Sequence, residues 1–199
     1  MTDPKNARLQ VAVIIGSIRN GRFGPVVADW VISHIAQRED MAADRVDLLE
    51  TPLPVHMPAF GEVPSDEVQE KVGALSSRLA AADAFVIVTP EYNHSYPASL
   101  KNAIDWHNEQ WHAKPVGFVS YGGVSGGLRA VEHLRVVLAE VHAVTVRNTV
   151  SFANYGQLFD AEGKTTDPAS DVAAKAMLDQ LAWWGQALRD AKKTRPYTA

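Results

Sequence analysis

The sequence predicts one α/β domain with a doubly wound five-stranded parallel sheet in the order 2-1-3-4-5. Three observations carry this. Short β-branched runs alternate with stretches of helical periodicity along the chain, the pattern of strand–helix–strand units. The runs are apolar almost throughout, as strands covered on both faces must be. The most polar turns follow strands one, three and four. In a sheet of that order the ligand crevice opens at the carboxyl ends of the strands, between the first and the third.

The first strand is Leu9-Gln-Val-Ala-Val-Ile-Ile15, and it runs into the turn Gly16-Ser-Ile-Arg-Asn-Gly-Arg-Phe-Gly24-Pro25. Val26, Val27, Trp30, Val31 and Ile35 then recur at helical spacing. Arg45 to Leu49 reads as the second strand, followed by the proline-broken extended segment 51–58. Ser65 or Asp66 can cap a helix whose apolar stripe is Val68, Val72, Leu75 and Leu79. Phe85-Val-Ile-Val88 is the third strand, stopped at Thr89-Pro90 because proline has no N–H for the ladder. After the polar loop Glu91-Tyr-Asn-His-Ser-Tyr96, Pro97 opens a helix with Ser95 as its candidate cap and Leu100, Ile104 and Trp106 as apolar weight. Lys114 to Ser120 is the fourth strand. Tyr121-Gly-Gly-Val-Ser-Gly-Gly127 is the turn after it, and Leu128, Val131, Leu134 and Leu138 mark the next helix. Val144–Val146 and Thr149–Ser151 supply the fifth strand, 152–167 a long surface loop, and Pro168 or Ala169 starts the last helix. On this reading 1–8 is a disordered lead-in, 9–190 the domain and 191–199 a flexible tail.

Composition narrows the function. The chain has 199 residues, 46% hydrophobic and 21% charged, with a net charge of -4. A nucleic-acid or anionic-membrane partner would want a basic face, so neither is expected. There are no cysteines, which excludes disulfides, thiolate nucleophiles and cysteine-ligated metal. No run is long and apolar enough to span a bilayer, and the polar opening residues lack the apolar core of a signal peptide. The expectation is a cytoplasmic protein. His107 and His112, five apart, do not share a helix face, so the segment Trp106–His112 is read as aromatic packing at an interface rather than as a metal site.

The turn after strand one offers backbone N–H groups and a helix start to an anion, with Ser17 adding a hydroxyl and Arg19 and Arg22 adding positive charge. The alternative is a structural turn with solvated arginines. No Gly-Lys-Ser/Thr follows, so it is not a Walker A loop. Ser17-Ile18-Arg19 stands where a dinucleotide fingerprint needs its second glycine. A single terminal phosphate fits better than a pyrophosphate. Gly122, Gly123, Gly126 and Gly127 require either positive-φ turns or a flat ligand close to the backbone.

These residues resemble the NAD(P)H-dependent FMN reductases of flavodoxin-like fold, a family that includes quinone, azo-dye and chromate reductases. Three segments carry the resemblance, which covers about residues 9–150: Gly16-Ser17-Ile18-Arg19; Pro90-Glu-Tyr-Asn93 with Ser95-Tyr-Pro97 and Leu100-Lys-Asn102; and the glycine turn Ser120 to Gly127. It implies that Ser17 and Arg19 hold the FMN phosphate and that Pro90, Glu91, Tyr92 and Asn93 line the isoalloxazine. Tyr121, Gly122 and Gly123 would meet the pyrimidine side of the ring. Arg22 stands where many members have serine or threonine. The FMN-binding set is thus Ser17, Arg19, Arg22, Phe23, Gly24, Pro90, Glu91, Tyr92, Asn93, Ser120, Tyr121, Gly122, Gly123 and Gly126.

The resemblance further implies NADPH or NADH as electron donor, a small-molecule acceptor and hydride passage through flavin N5, with no protein nucleophile and no metal. His94 is weighed as a proton donor against a plain loop histidine. A homodimer or homotetramer is expected, with Trp106, Trp111, Trp183 and Trp184 as interface aromatics; the alternative is that these tryptophans pack the domain's own helices. The rival function is a flavodoxin-type electron carrier that binds FMN without oxidising NAD(P)H.

Overall fold

The computed structural model describes residues 8–59 and 61–199, so all of the expected lead-in except Arg8 lies outside the described residues. The strands are β1 (Leu9–Ile15), β2 (Met41–Asp47), β3 (Ala84–Pro90), β4 (Pro115–Gly122) and β5 (Val144–Ala153). They form one parallel sheet in the order β2-β1-β3-β4-β5. The helices are α1 (Gly24–Ala36), α2 (Asp66–Ala81), α3 (Ala98–Asp105), α4 (Leu128–Glu140) and α5 (Pro168–Thr194). This is the flavodoxin-like architecture that the sequence predicts.

Alternation along the strands divides the core in two. Val11, Val13, Ile15, Val86 and Val88 face α1 and α5, meeting Val27, Trp30, Val31, Met177 and Leu181. Ala12, Ile14, Phe85 and Ile87 face the other way, onto Leu75 and Leu79 of α2, Leu100 and Ile104 of α3, and Leu134 and Leu138 of α4. Helices cover both faces of the sheet, and the carboxyl ends of the strands lie beyond them.

Several boundaries differ from the sequence reading, each for a local reason. Strand β2 begins at Met41 and ends at Asp47, not 45–49. It is an edge strand and half exposed, so its polar residues hide it from an apolar-run search. Strand β3 does not stop at Val88: Thr89 and Pro90 stay in register with Ser120 and Tyr121, and proline is tolerated because it is the final rung. Pro97 is the N-cap of α3 rather than its first turn. Ser95 does not cap it; its hydroxyl pairs with His133 Nδ1 at 3.0 Å. Strand β5 is continuous, with a bulge where its partners step from Val116 to Phe118. Arg135 donates to the carbonyls of Val146 and Arg147 across that irregularity, satisfying acceptors that the ladder misses.

The segment 152–167 is more than a surface loop. It carries a 3-10 turn at Tyr155–Gln157 and a bridge between Phe159 and Thr165. Phe159 packs on Phe152 at 4.8 Å and Phe23 at 5.2 Å. Of the expected interface aromatics, Trp111 is in the core, 4.6 Å from Phe85. Trp106 donates its indole N–H to the Pro54 carbonyl. His107 is buried too, Nδ1 against the Ala103 carbonyl at 2.7 Å. Thus Trp106, His107 and Trp111 pack within the domain, while Asn108 and Glu109 of the same segment are exposed. Trp183 and Trp184 do lie outside, stacked edge to face at 5.0 Å. The stretch read as a tail from 191 is helical through Thr194, and Tyr197 Oη pairs with His142 Nδ1 at 2.8 Å.

Two outcomes follow from this packing. Gly127 has φ +85°, and a Cβ there would lie 2.7 Å from Ser120 Cβ and 3.0 Å from the Tyr121 nitrogen. Gly127→Ala combines left-handed strain with a backbone clash, so denaturant unfolding is expected to register a loss of about 2–4 kcal/mol. Lys114 Nζ donates to the last carbonyls of α2, Leu79 and Ala80. Burial, then the charge of Lys192, lowers its ammonium from 10.5 to about 8. Between those values the unfolded chain holds a proton that the folded chain has released, so stability rises with pH across that window. Denaturation midpoints at pH 8, 9 and 10 should climb in the wild type and climb less in Lys114→Met.

Candidate functional site

The carboxyl ends of β1, β3 and β4 come level because the register aligns Ile15 with Val88 and Pro90 with Tyr121. The turns leaving them enclose a cleft of about 310 Å³. Of the predicted set, Arg19, Arg22, Phe23, Pro90, Glu91, Tyr92, Tyr121, Gly122 and Gly123 line it, joined by Asn20, Gly21 and Tyr155. Ser17, Gly24, Ser120 and Gly126 are not on the lining. Asn93 sits exposed at a loop tip.

The first wall is the turn 16–23. Ser17 is fully buried, its hydroxyl 2.6 Å from Tyr92 Oη and accepting the Arg19 N–H at 3.3 Å. Arg22 makes a bidentate pair with Asp47, Nη2 to Oδ2 at 2.8 Å, and donates to the Ser17 carbonyl at 2.8 Å. Asp47 is 1% exposed and also accepts the Leu49 N–H. That carboxylate, above all its hydrogen bond, raises the Arg22 guanidinium above its ordinary value. Arg22 is therefore a brace between the turn and the end of β2. Arg19, by contrast, has no side-chain hydrogen bond or ion pair among the described residues. Gly24 lets α1 start close to the sheet, since a Cβ there would meet Ile15 at 2.9 Å and Tyr121 Oη at 3.0 Å.

The second wall is the loop after β3. Tyr92 and Ser95 exchange backbone hydrogen bonds at 2.8 and 3.1 Å, with Asn93 at φ 49° and His94 at φ 73° between them. Two left-handed central residues make a type I′ turn, where asparagine is favoured. The Glu91 side chain, 6% exposed, is paired with Arg129 and Ser125. Burial pushes its carboxyl up, but the hydroxyl of Ser125 and the guanidinium and amide of Arg129 outweigh that and hold it below the usual carboxylate range.

The third wall is the glycine turn after β4. Ser120 and Ser151 both donate to the Gly126 carbonyl, at 2.8 and 2.9 Å. Gly126 and Gly127 are the left-handed positions. Gly123 has nothing within 4 Å of its Cβ direction, so its backbone faces open space. The positive-φ explanation thus holds at Gly126 and Gly127. Tyr121 packs against Phe23 and Tyr155 at 6.3 and 5.3 Å. Burial first, then Tyr92 and Tyr155, push its phenol well above its ordinary value, so it stays neutral. Sequence reading missed Asp47, hidden in an edge strand, and Tyr155, in a loop with no periodic signal.

The family model described as NADPH-dependent FMN reductase matches residues 9–157. An NAD(P)H-dependent FMN reductase of Schizosaccharomyces pombe is 40% identical over 122 residues, 59% of this chain and 60% of that protein. A quinone reductase of Escherichia coli is 36% identical over 187 residues, 87% of this chain and 90% of that protein. Among solved structures, a flavoenzyme NAD(P)H:(acceptor) oxidoreductase from Paracoccus denitrificans superposes with a TM-score of 0.71 at 26% identity, covering 90% of this chain and 98% of the other. The chain belongs to the NADPH-dependent FMN reductase family.

Proposed function

We propose that the chain is an NAD(P)H-dependent oxidoreductase using FMN, with quinone-like small molecules as acceptors. The observation that carries this is a cleft with an unpaired guanidinium at one end and an open glycine backbone at the other, spanning the ends of β1, β3 and β4. One phosphate and one planar ring match that polarity. When bound, FMN supplies hydride transfer from the nicotinamide to the acceptor.

The protein's part is binding and charge. Arg19, beside the N-terminus of α1, holds the phosphate. Arg22 braces the loop through Asp47 rather than giving its charge to the ligand. Phe23, Tyr92, Tyr121 and Tyr155 form the apolar walls, and Pro90, Gly122 and Gly123 let a flat ring lie against backbone. Backbone N–H groups of the glycine turn steady negative charge on the ring, a preorganised role that needs no ionisable donor. The matched quinone reductase of Escherichia coli favours a quinone as acceptor. We place the protein in the cytoplasm, where reduced nicotinamide is supplied. The exposed Trp183–Trp184 pair, with Trp183 65% exposed, fits a homodimer or homotetramer, which light scattering reads directly.

Protein reconstituted with FMN should display a bound-flavin spectrum that bleaches on anaerobic addition of NADPH or NADH and recovers with a quinone. A protein that takes up no FMN would end this reading, and one that binds FMN yet resists reduction would be an electron carrier. Arg19→Ala should weaken FMN binding roughly 10- to 100-fold, the loss of one charge-assisted contact of about 1.5–3 kcal/mol. Riboflavin, lacking the phosphate, should bind wild type and variant alike.

A further inference from the structure

Helix α4 grips the loop after β3 at three successive points. Glu91 is held from the α4 side by three donors: Ser125 Oγ at 2.8 Å, the Arg129 backbone N–H at 3.3 Å and Arg129 Nη2 at 2.5 Å. The other arm of the same guanidinium lies 3.2 Å from His94 Nδ1. One helical turn on, His133 Nδ1 pairs with the hydroxyl of Ser95. Arg129 and His133 are four apart and so share a helix face, and the carboxylate sits at the positive end of α4. Glu91 also hydrogen-bonds through its backbone N–H to the Tyr121 carbonyl.

The placement is unusual for a carboxylate in a binding loop. Glu91 and Tyr92 form one wall of the cleft and Gly122 and Gly123 another, yet the Glu91 side chain is spent joining those walls. Arg129 meanwhile holds His94, the second of the two left-handed residues of the tight turn, in a conformation that a non-glycine residue keeps only when its surroundings over-determine it.

We propose that Arg129 is a positioning residue: acting through Glu91 and His94, it clamps the loop after β3 to the first turn of α4 and sets the separation of the two walls that receive the flavin ring. The clamp makes FMN affinity a property of a side chain that does not touch FMN, because a preformed cleft spares the ligand the cost of ordering it. This rests on the FMN reading above.

The test is a double-mutant cycle on FMN binding by the apoprotein, followed by quenching of flavin fluorescence, with Glu91→Gln, Arg129→Gln and both together. Each single variant should bind FMN on the order of tenfold more weakly. The double should be no worse than the weaker single, because both break one unit. KM for NADPH relative to NADH should be unchanged in Arg129→Gln. The clamp is refuted if Arg129→Gln binds FMN like wild type, or if the two losses multiply. A KM rise for NADPH alone would also refute it, making Arg129 a direct contact of the donor's 2′-phosphate. If Glu91→Gln does not fold, Ser125→Ala replaces it in the cycle. Wild-type protein that fails to bind FMN would instead overturn the cofactor reading, a distinct outcome.

Discussion

A parallel sheet with its second strand wound to one side and its third to the other cannot close over the end of its first. β1 lies between β2 and β3. The connection through α1 leaves on one face of the sheet and the connection through α2 on the opposite face. Right-handed crossovers then force the turns after β1 and β3 to diverge, and the gap between them is the cleft. Both faces of the sheet are covered by helices. Position and depth of the site are therefore consequences of strand order, before any site residue is chosen.

Loops at such a gap have no ladder partners, and this chain restrains them with carboxylate–arginine pairs. Asp47 at the end of β2 holds Arg22 of the first loop. Glu91 at the start of the second loop is held by Arg129 of α4. In both, one carboxylate is nearly buried and accepts backbone N–H as well as guanidinium donors, which is how a desolvated charge becomes tolerable. The remaining charge lining the cleft, Arg19, has no ion pair among the described residues. Buried serines tie down what the pairs leave loose: Ser120 on the Gly126 carbonyl and Ser17 on Tyr92.

The family resemblance and the pairing together separate residues that sequence alone treats as one group. Ser17, Gly24, Ser120 and Gly126 belong to the framework beneath the cleft, while Arg19, Tyr92, Tyr121, Gly122 and Gly123 form its surface. Motif residues of both kinds are adjacent in the chain, so spacing cannot sort them. Burial and partners can.

The strand order came from the doubly wound fold class; the sequence by itself determined the strand–helix alternation behind it and the polar loops after strands one, three and four. Those are local matters: period-2 and period-3.6 patterning, glycine and proline at turns, and a specific run from Pro90 to Asn102. Tertiary structure alone decided which charges are available. Arg19 and Arg22 are three residues apart and chemically identical, yet an aspartate 25 residues away claims the second and leaves the first. The same holds for Trp111 against Trp183, one in the core and one in solvent. Pairing and burial are long-range properties, settled by which strands become neighbours, and no local window contains them.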